Sequence, residues 1–187
     1  MKCAFHKLQN DFCYCQLSTG DLLRDNVKNK TPAGIKAKEA MDKGQLVSDG
    51  IVNEILVNAM KSPTCERGII FDGYPRTIKQ ARKLDSLLGK LGLGLNHAIF
   101  MDLPEEKAKE RIRNRAKKEG RKDDASDEVI DKRFSEYNEK TFPLVDFYKK
   151  SRKLIKIDAD LGMEGVLKAI VKKLGLKEVK DKKDEKI

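Results

Sequence analysis

Four short apolar segments, separated by helical patterns, constrain the fold of this chain most. They span residues 12–17, 68–74, 97–103 and 153–158, and each is apolar or rich in β-favouring residues and is followed by a turn or helix signal. Strands that alternate with helices form a parallel sheet with helices on both faces. The sequence therefore predicts an α/β protein with a doubly wound parallel sheet.

Local signals mark several of the helix ends. Ser18 or Thr19 can cap a helix, because short polar side chains accept hydrogen bonds from its first free N–H groups. Pro104 opens another helix, and Gly120 breaks it before a charged surface loop. Helical spacing returns at residues 130–150 and 162–174. These helices supply the layers that cover the predicted sheet.

Composition narrows the class of protein without choosing a function. The 187 residues suit a single domain, and no apolar run approaches the roughly 20 residues that cross a bilayer. The net charge of +10 favours anionic partners, although a lysine-rich solvated surface accounts for most of it. No aromatic residues are interleaved with a basic patch, which argues against a nucleic-acid binder. The four cysteines lack paired metal-ligand spacing, so we expect free thiols.

The most informative stretch is residues 69–80, Ile-Ile-Phe-Asp-Gly-Tyr-Pro-Arg-Thr-Ile-Lys-Gln. Its polar residues follow a buried strand, and open parallel sheets bind ligands at the carboxyl ends of their strands. Asp72 could orient a magnesium-bound water, Gly73 allows close backbone approach, and Arg76 can contact phosphate oxygens through two N–H groups. Each residue alone also fits an ordinary turn or surface charge. The inference therefore depends on the whole group.

As a unit, this stretch resembles the signature of the adenylate kinase family, in which three large apolar residues precede Asp-Gly-aromatic-Pro-Arg and a Gln follows the Arg by four residues. The resemblance extends over essentially the whole chain. Residues 17–24 are similar to the start of the family's AMP-binding lobe, residues 43–47 to the segment that closes over adenine and ribose, and residues 120–124 to the short form of the lid. The resemblance implies reversible phosphoryl transfer from ATP to AMP, giving two ADP, with Mg²⁺ as cofactor.

Position by position, the resemblance implies a set of nucleotide-binding residues. For AMP, these are Thr19, Arg24, Gln45, Leu46, Val47, Gly73, Tyr74, Pro75, Arg76 and Gln80, together with Arg121 and Arg133, which would reach the phosphates between the two nucleotides. For ATP, they are Arg115 and the backbone of Leu161. The implied catalytic set is Asp72, Arg76, Arg121, Asp123 and Arg133, with no direct protein ligand to the metal and Asp72 acting through water. The many arginines suit the chemistry, because positioning and cations stabilise the loose transition state of phosphoryl transfer.

Further expectations follow from the resemblance. The Tyr74–Pro75 peptide bond should be cis. Residues 1–24, 63–112 and 127–176 would form the core, 25–62 an AMP-binding insertion, 113–126 the lid and 177–187 a flexible tail. We expect a cytoplasmic monomer without nucleic-acid or membrane partners, and a mitochondrial location stays open. Thr77 and Gln80 favour AMP as acceptor over the pyrimidine monophosphates.

A glycine-rich phosphate loop is not found in the sequence, which has no G-x-x-x-x-G-K-[ST] pattern. An enzyme of this kind needs the N–H groups and lysine of such a loop around the donor phosphates. Residues 3–8 resemble the helix that follows the loop in the family, so we expect the loop and its strand to precede this sequence. That strand would lie between the strands at 68–74 and 97–103. Two alternatives stay open: a nucleotide-binding protein without turnover, and a UMP/CMP kinase.

Overall fold

Strands and helices alternate along the part of the chain that the computed structural model describes, which is residues 7–9, 11–61, 68–120 and 126–176. The strands are β1 (Cys15–Ser18), β2 (Ile69–Asp72), β3 (Ala98–Asp102) and β4 (Leu154–Asp158). The helices are α1 (Thr19–Lys28), α2 (Pro32–Asp42), α3 (Asp49–Met60), α4 (Ile78–Lys90), α5 (Glu105–Glu119), α6 (Asp127–Glu136), α7 (Pro143–Lys150) and α8 (Gly162–Leu174), and a π-helical turn (Tyr137–Thr141) separates α6 from α7. The predicted α/β class is confirmed.

The four strands pair as two parallel ribbons. Strand β1 pairs with β2, which places Ser18 opposite Asp72, and β3 pairs with β4, which places Asp102 opposite Asp158. Within the described ranges, β2 and β3 each have a hydrogen-bonded neighbour on one side only. All four predicted strands are present, although β1 begins three residues later than expected because Phe12 ends a helical segment.

The helix predictions are confirmed at three places and wrong at one. Ser18 caps α1 by accepting a hydrogen bond from the Asp21 N–H at 3.4 Å. Helix α5 ends at Gly120, which has the left-handed φ of 61° that favours glycine. Helix α8 matches the predicted 162–174. Residues 130–150 are not one helix, because the π-helical turn interrupts the α-helical hydrogen bonds.

Three apolar clusters hold the layers together. The fully buried Leu56 and Leu84 belong to the cluster that joins α1–α4 to β1 and β2. Ile157 and Ile170 belong to a second cluster, between the β3–β4 ribbon and α8, and Leu8 packs there too. A smaller cluster joins α4 to α7. Helices therefore cover both ribbons, and the polar ends of the strands stay open at one edge.

Helices α1 and α2 approach each other closely at their connection. A Cβ atom added at Gly34 would lie 2.1 Å from the Asn26 carbonyl oxygen, a distance that no side chain tolerates. Thr31 caps α2 by accepting a hydrogen bond from the Gly34 N–H at 3.0 Å, and its hydroxyl donates to the Asn26 Oδ1 at 2.7 Å. One threonine therefore fixes both the start of α2 and its position on α1.

Replacing Thr31 with Ala is expected to lower the free energy of unfolding by about 1 kcal/mol, the usual cost of losing an N-cap. Ser48 is the matched control, because it occupies the N-cap of α3 without a side-chain capping hydrogen bond. Urea unfolding of both variants measures the difference. A Ser48→Ala variant that loses as much stability as Thr31→Ala would show that capping is not what Thr31 contributes.

The structure corrects the expectation of free thiols for one cysteine. Cys15 is disulfide-bonded, so the expectation of free thiols is wrong for this residue, whereas Cys13 is exposed and free. Disulfides are rare in reducing compartments.

Among the described residues, no helix has the length and apolar character needed to span a membrane.

Candidate active site

A cleft of about 430 Å³ lies at the strand ends, and its volume is within the size range of small-molecule sites. Residues from the ends of β1, β2 and β3 meet here with residues from α1, α5, α6 and the π-helical turn. Its lining includes ten residues that the sequence assigned to AMP: Thr19, Arg24, Gln45, Leu46, Val47, Gly73, Tyr74, Pro75, Arg76 and Gln80. Arg133 also lines it. Predicted residues from distant parts of the chain therefore share one cavity.

The segment after β2 forms the floor of the cleft. Gly73 has a φ of 70°, and a Cβ atom there would lie 3.1 Å from the Arg76 guanidinium. The Thr19 hydroxyl donates a hydrogen bond to the Gly73 carbonyl at 3.0 Å, which ties the start of α1 to this segment. The Tyr74–Pro75 peptide bond is cis, as expected. Glycine is needed here because the backbone and Arg76 lie close together.

Hydrogen bonds hold Arg76 at three points. Its backbone N–H donates to the Gln80 Oε1 at 2.7 Å, and its Nε–H donates to the Gly73 carbonyl at 2.9 Å. Its carbonyl accepts from the Thr141 hydroxyl at 2.9 Å. The other amide end of Gln80 donates to the Asp49 Oδ1 at 2.8 Å. The Arg76 guanidinium is therefore placed in the cleft before any ligand binds.

Several other arginines lie around Arg76. The pKa of the Arg76 guanidinium is lowered to about 10, mainly by burial and also by repulsion from Arg133, Arg24 and Arg115, while attraction to Asp72 opposes this shift. Three arginines are therefore close enough to Arg76 to affect its pKa, and Asp72 is the one carboxylate among the causes of the pKa shift. Such a cluster favours a polyanionic ligand, because phosphate oxygens accept charge-assisted hydrogen bonds from guanidinium groups.

Neighbouring carboxylates orient part of this cluster. Arg24 forms an ion pair with Asp21, one turn earlier on α1. Asp72, at the end of β2, accepts a hydrogen bond from the Gln16 amide at 3.0 Å on Oδ2. Among the described residues, its Oδ1 has no hydrogen-bond partner, so it remains available to a water or ligand. One carboxylate oxygen of Asp72 is therefore held by Gln16, and the other can accept a hydrogen bond from a water or a ligand.

The opposite part of the cleft is mostly apolar. It is lined by side chains from α1, α2, the segment before α3 and α3 itself: Leu23, Met41, Leu46, Val47 and Val52. Tyr74 closes one end, where its hydroxyl donates to the Asn53 Oδ1 at 2.8 Å. Burial, with a smaller contribution from Asp49, raises the pKa of Tyr74 to about 12, so this hydroxyl stays protonated. An apolar chamber beside a cationic cluster suits a ligand with a flat base and a phosphate.

The remaining predicted residues lie elsewhere. Arg115 is close enough to Arg76 to lower its pKa, but Arg115 does not line the cleft. Leu161 is 54% exposed and precedes α8. Arg121 and Asp123 fall outside the described residues. Apart from Arg121, the residues predicted to bind AMP therefore lie in one cleft, whereas Arg115 and Leu161, predicted to bind ATP, do not line it.

Sequence reasoning missed several residues of the cleft. Glu136 is only 8% exposed and pairs with Lys140 at 2.8 Å, and Thr141 and Tyr137 follow it along the wall. A glutamate and a threonine in a helical pattern give no local signal of this placement. Arg111 donates a hydrogen bond to the Ala159 carbonyl at 2.9 Å and so links α5 to the end of β4.

Comparisons with known proteins agree with this geometry. The model of the family described as adenylate kinase matches residues 3–153. A protein named adenylate kinase from Leptospira biflexa is 43% identical over 159 residues, which cover 85% of each chain. Adenylate kinase 4 of Arabidopsis thaliana is 36% identical, over 89% of this chain and 78% of its own length. An adenylate kinase of Xanthomonas euvesicatoria is 42% identical over 90% of each chain.

These matches place the chain in the nucleoside monophosphate kinase class of phosphotransferases. It belongs to the adenylate kinase family, whose reaction is phosphoryl transfer between ATP and AMP. The resemblance that residues 69–80 suggested is thereby confirmed, and the pyrimidine kinase and the nucleotide binder without turnover are not favoured.

Proposed function

We propose that the cleft binds AMP, with its phosphate at the arginine cluster and its base in the apolar chamber, and that the bound AMP accepts a phosphoryl group from ATP. The observation that carries this proposal is the convergence of Arg24, Arg115 and Arg133 on Arg76 beside that chamber. Their mutual repulsion is relieved when a phosphate dianion enters. Arg24, Arg76 and Arg133 also line the cleft, which favours an anionic ligand there.

The chemistry needs little from the protein beyond position and charge. An oxygen of the AMP phosphate attacks the γ-phosphorus of ATP, the bond to the bridging oxygen breaks, and two ADP result. Negative charge spreads over the transferred group, so Arg76 and Arg133 stabilise it from the acceptor side. The phosphate oxygen is already ionised, and no side chain has to remove a proton. Arg115, Arg121 and Leu161 are proposed to contact ATP and the phosphates between the nucleotides.

The cofactor proposed is Mg²⁺, which enters with ATP. Within the described ranges, no group of three or more His, Cys, Asp or Glu side chains is arranged to hold a metal ion. Asp72 would instead contact the ion through a water molecule, because Gln16 donates a hydrogen bond to Oδ2 of Asp72 and leaves Oδ1 available at the end of β2. Mg²⁺ keeps several waters when it binds phosphates and so suits such an outer contact. The ion would neutralise charge on the donor phosphates.

Domain movement is proposed to complete the site. Residues 25–62 would close over AMP as an insertion, and residues 113–126 would close as a lid that carries Arg121 and Asp123, both on a core of 1–24, 63–112 and 127–176. Closure would exclude water, so that ATP is not simply hydrolysed. Gly44 supports a bend at the insertion, because its φ of 66° is left-handed.

A monomer in the cytoplasm also remains our proposal. Because disulfides are rare in reducing compartments, the disulfide at Cys15 makes a mitochondrial location our second proposal. Partners other than ATP, AMP and ADP are not proposed.

AMP is expected to bind more tightly than UMP, CMP or GMP. The reason is the segment from Arg76 to Gln80, which resembles that of AMP-accepting members, together with an apolar chamber for the base. Isothermal titration with the four monophosphates at equal ionic strength measures the order. Because all four share the phosphate, the comparison isolates the base. Tighter binding of UMP or CMP than of AMP would contradict the assignment.

A further inference from the structure

Thr141, the last residue of the π-helical turn, contacts the cleft through the backbone of Arg76. Its hydroxyl donates to the Arg76 carbonyl at 2.9 Å, across 65 positions of sequence. Gln80 accepts from the Arg76 N–H on the other side. Both backbone polar groups of Arg76 are therefore fixed, one by each residue. The direction of the guanidinium depends on these two contacts and on its own bond to Gly73.

The π-helical turn explains how Thr141 reaches Arg76. Its Phe142 N–H donates to the Tyr137 carbonyl at 2.8 Å, a five-residue spacing that takes one residue more than an α-helical turn. Thr141 follows Arg133 by eight positions, which in a regular α-helix would place the two residues about 80° apart around the axis. The extra residue reduces that angle to about 20°. Both side chains are therefore on the face of the helix that lines the cleft.

We propose that Thr141 is a positioning residue, whose hydroxyl acts through the Arg76 carbonyl to hold the Arg76 guanidinium toward the phosphate of the bound nucleotide. The inference rests on the proposed function, since it takes the arginine cluster as the phosphate site. Neither the sequence motifs nor the names of the relatives assign this threonine a role. Its hydrogen is used by the carbonyl, so Thr141 affects the phosphate only through Arg76.

A positioning role makes a prediction that a general structural role does not. Loss of the hydroxyl should weaken binding of AMP, which carries the phosphate, and leave binding of adenosine unchanged. Thr141→Val keeps the shape of the side chain and removes the donor. We expect AMP affinity to fall roughly 3- to 10-fold, the effect of one lost hydrogen bond, and adenosine affinity to change less than about twofold. Thr141→Ser, which keeps the donor, should retain the parent ratio.

The experiment is isothermal titration of the full chain and its variants with AMP and with adenosine. Ser151→Ala is the matched control, because Ser151 also donates its hydroxyl to a carbonyl, that of Tyr148 at 3.1 Å, at the exposed end of α7. Its AMP-to-adenosine affinity ratio should equal that of the parent. A partly unfolded variant loses sites for both ligands equally, so the ratio still reports on positioning. Thr141→Ala gives a second variant without the donor.

The outcomes separate the inference from the proposed function. If the parent binds adenosine and AMP equally, the phosphate site is wrong and both proposals fail. If the parent prefers AMP but Thr141→Val weakens both ligands by the same factor, the inference alone is overturned. Unfolding of both the Val and the Ala variants, with Thr141→Ser folded, would assign the hydroxyl to the stability of the fold and would also overturn it.

Discussion

Replacing Arg76 with Ala is expected to weaken AMP binding roughly 10- to 150-fold, or about 1.5 to 3 kcal/mol, the contribution of hydrogen bonds to a charged group. Arg76 is held by three hydrogen bonds and lies at the centre of the arginine cluster. Arg24→Ala should have an effect in the same range, because Arg24 is held by Asp21 at the start of the cleft. Titration with AMP and adenosine measures both.

The matched control is Arg82→Ala, an exposed arginine on α4 that lies outside the cleft. It removes the same charge from the chain and so accounts for the general effect of net charge on an anion. Adenosine binding should change little in all three variants, because the nucleoside lacks the phosphate. If Arg24→Ala and Arg76→Ala both bind AMP like the parent, the phosphate is placed wrongly.

An N-terminal extension that adds a parallel strand and a glycine-rich loop is expected to raise the melting temperature by roughly 5–10 °C. Strands β2 and β3 are only partly buried, and within the described ranges each pairs on one side only. A strand between them would form hydrogen bonds with both edges and would bury apolar side chains. Burying one such side chain stabilises the fold by about 1.5–3 kcal/mol. In a protein of this size, each kcal/mol of stability raises the melting temperature by about 2–4 °C. Without it, the chain is expected to be unstable or prone to aggregation.

The same extension is expected to give ADP formation that depends on both ATP and AMP. Thermal unfolding and a coupled ADP assay on the 187-residue chain and the extended chain measure the two effects. Two controls separate them: prolines in the added strand should abolish the thermal gain, because proline cannot donate to a neighbouring strand, and replacing the loop lysine with Ala should remove turnover alone. A 187-residue chain that melts cooperatively and turns over as fast as the extended one would contradict this interpretation.

The strands and most helices could be predicted because their signals are local. An apolar run such as residues 69–72 and a glycine such as Gly120 act within a few residues of themselves. The convergence of Arg24, Arg115 and Arg133 on Arg76 depends on distant parts of the chain. Periodicity does not encode it, and the family resemblance alone suggested it.

Residues that act through the backbone were the ones missed. The Thr141 hydroxyl donates to the Arg76 carbonyl, and the position of Thr141 depends on a π-helical turn inside a run that has ordinary helical spacing. Arg111 likewise reaches the Ala159 carbonyl, which no pattern of side chains signals. Gln80 was assigned to AMP, yet its amide bonds Arg76 and Asp49 in this structure. Whether it also contacts the nucleotide stays a prediction.

The π-helical turn makes the stretch between Arg133 and Thr141 sensitive to length rather than to composition. Deleting one residue there would remove the extra residue of the π-helical turn and would rotate everything after it by about 100° around the axis. Leu144 and Tyr148 would then leave their contacts with Ala81, and Thr141 would turn away from Arg76. The number of residues in this stretch is therefore more constrained than the identity of the side chains between its two ends. We expect insertions and deletions to be rare here among natural variants.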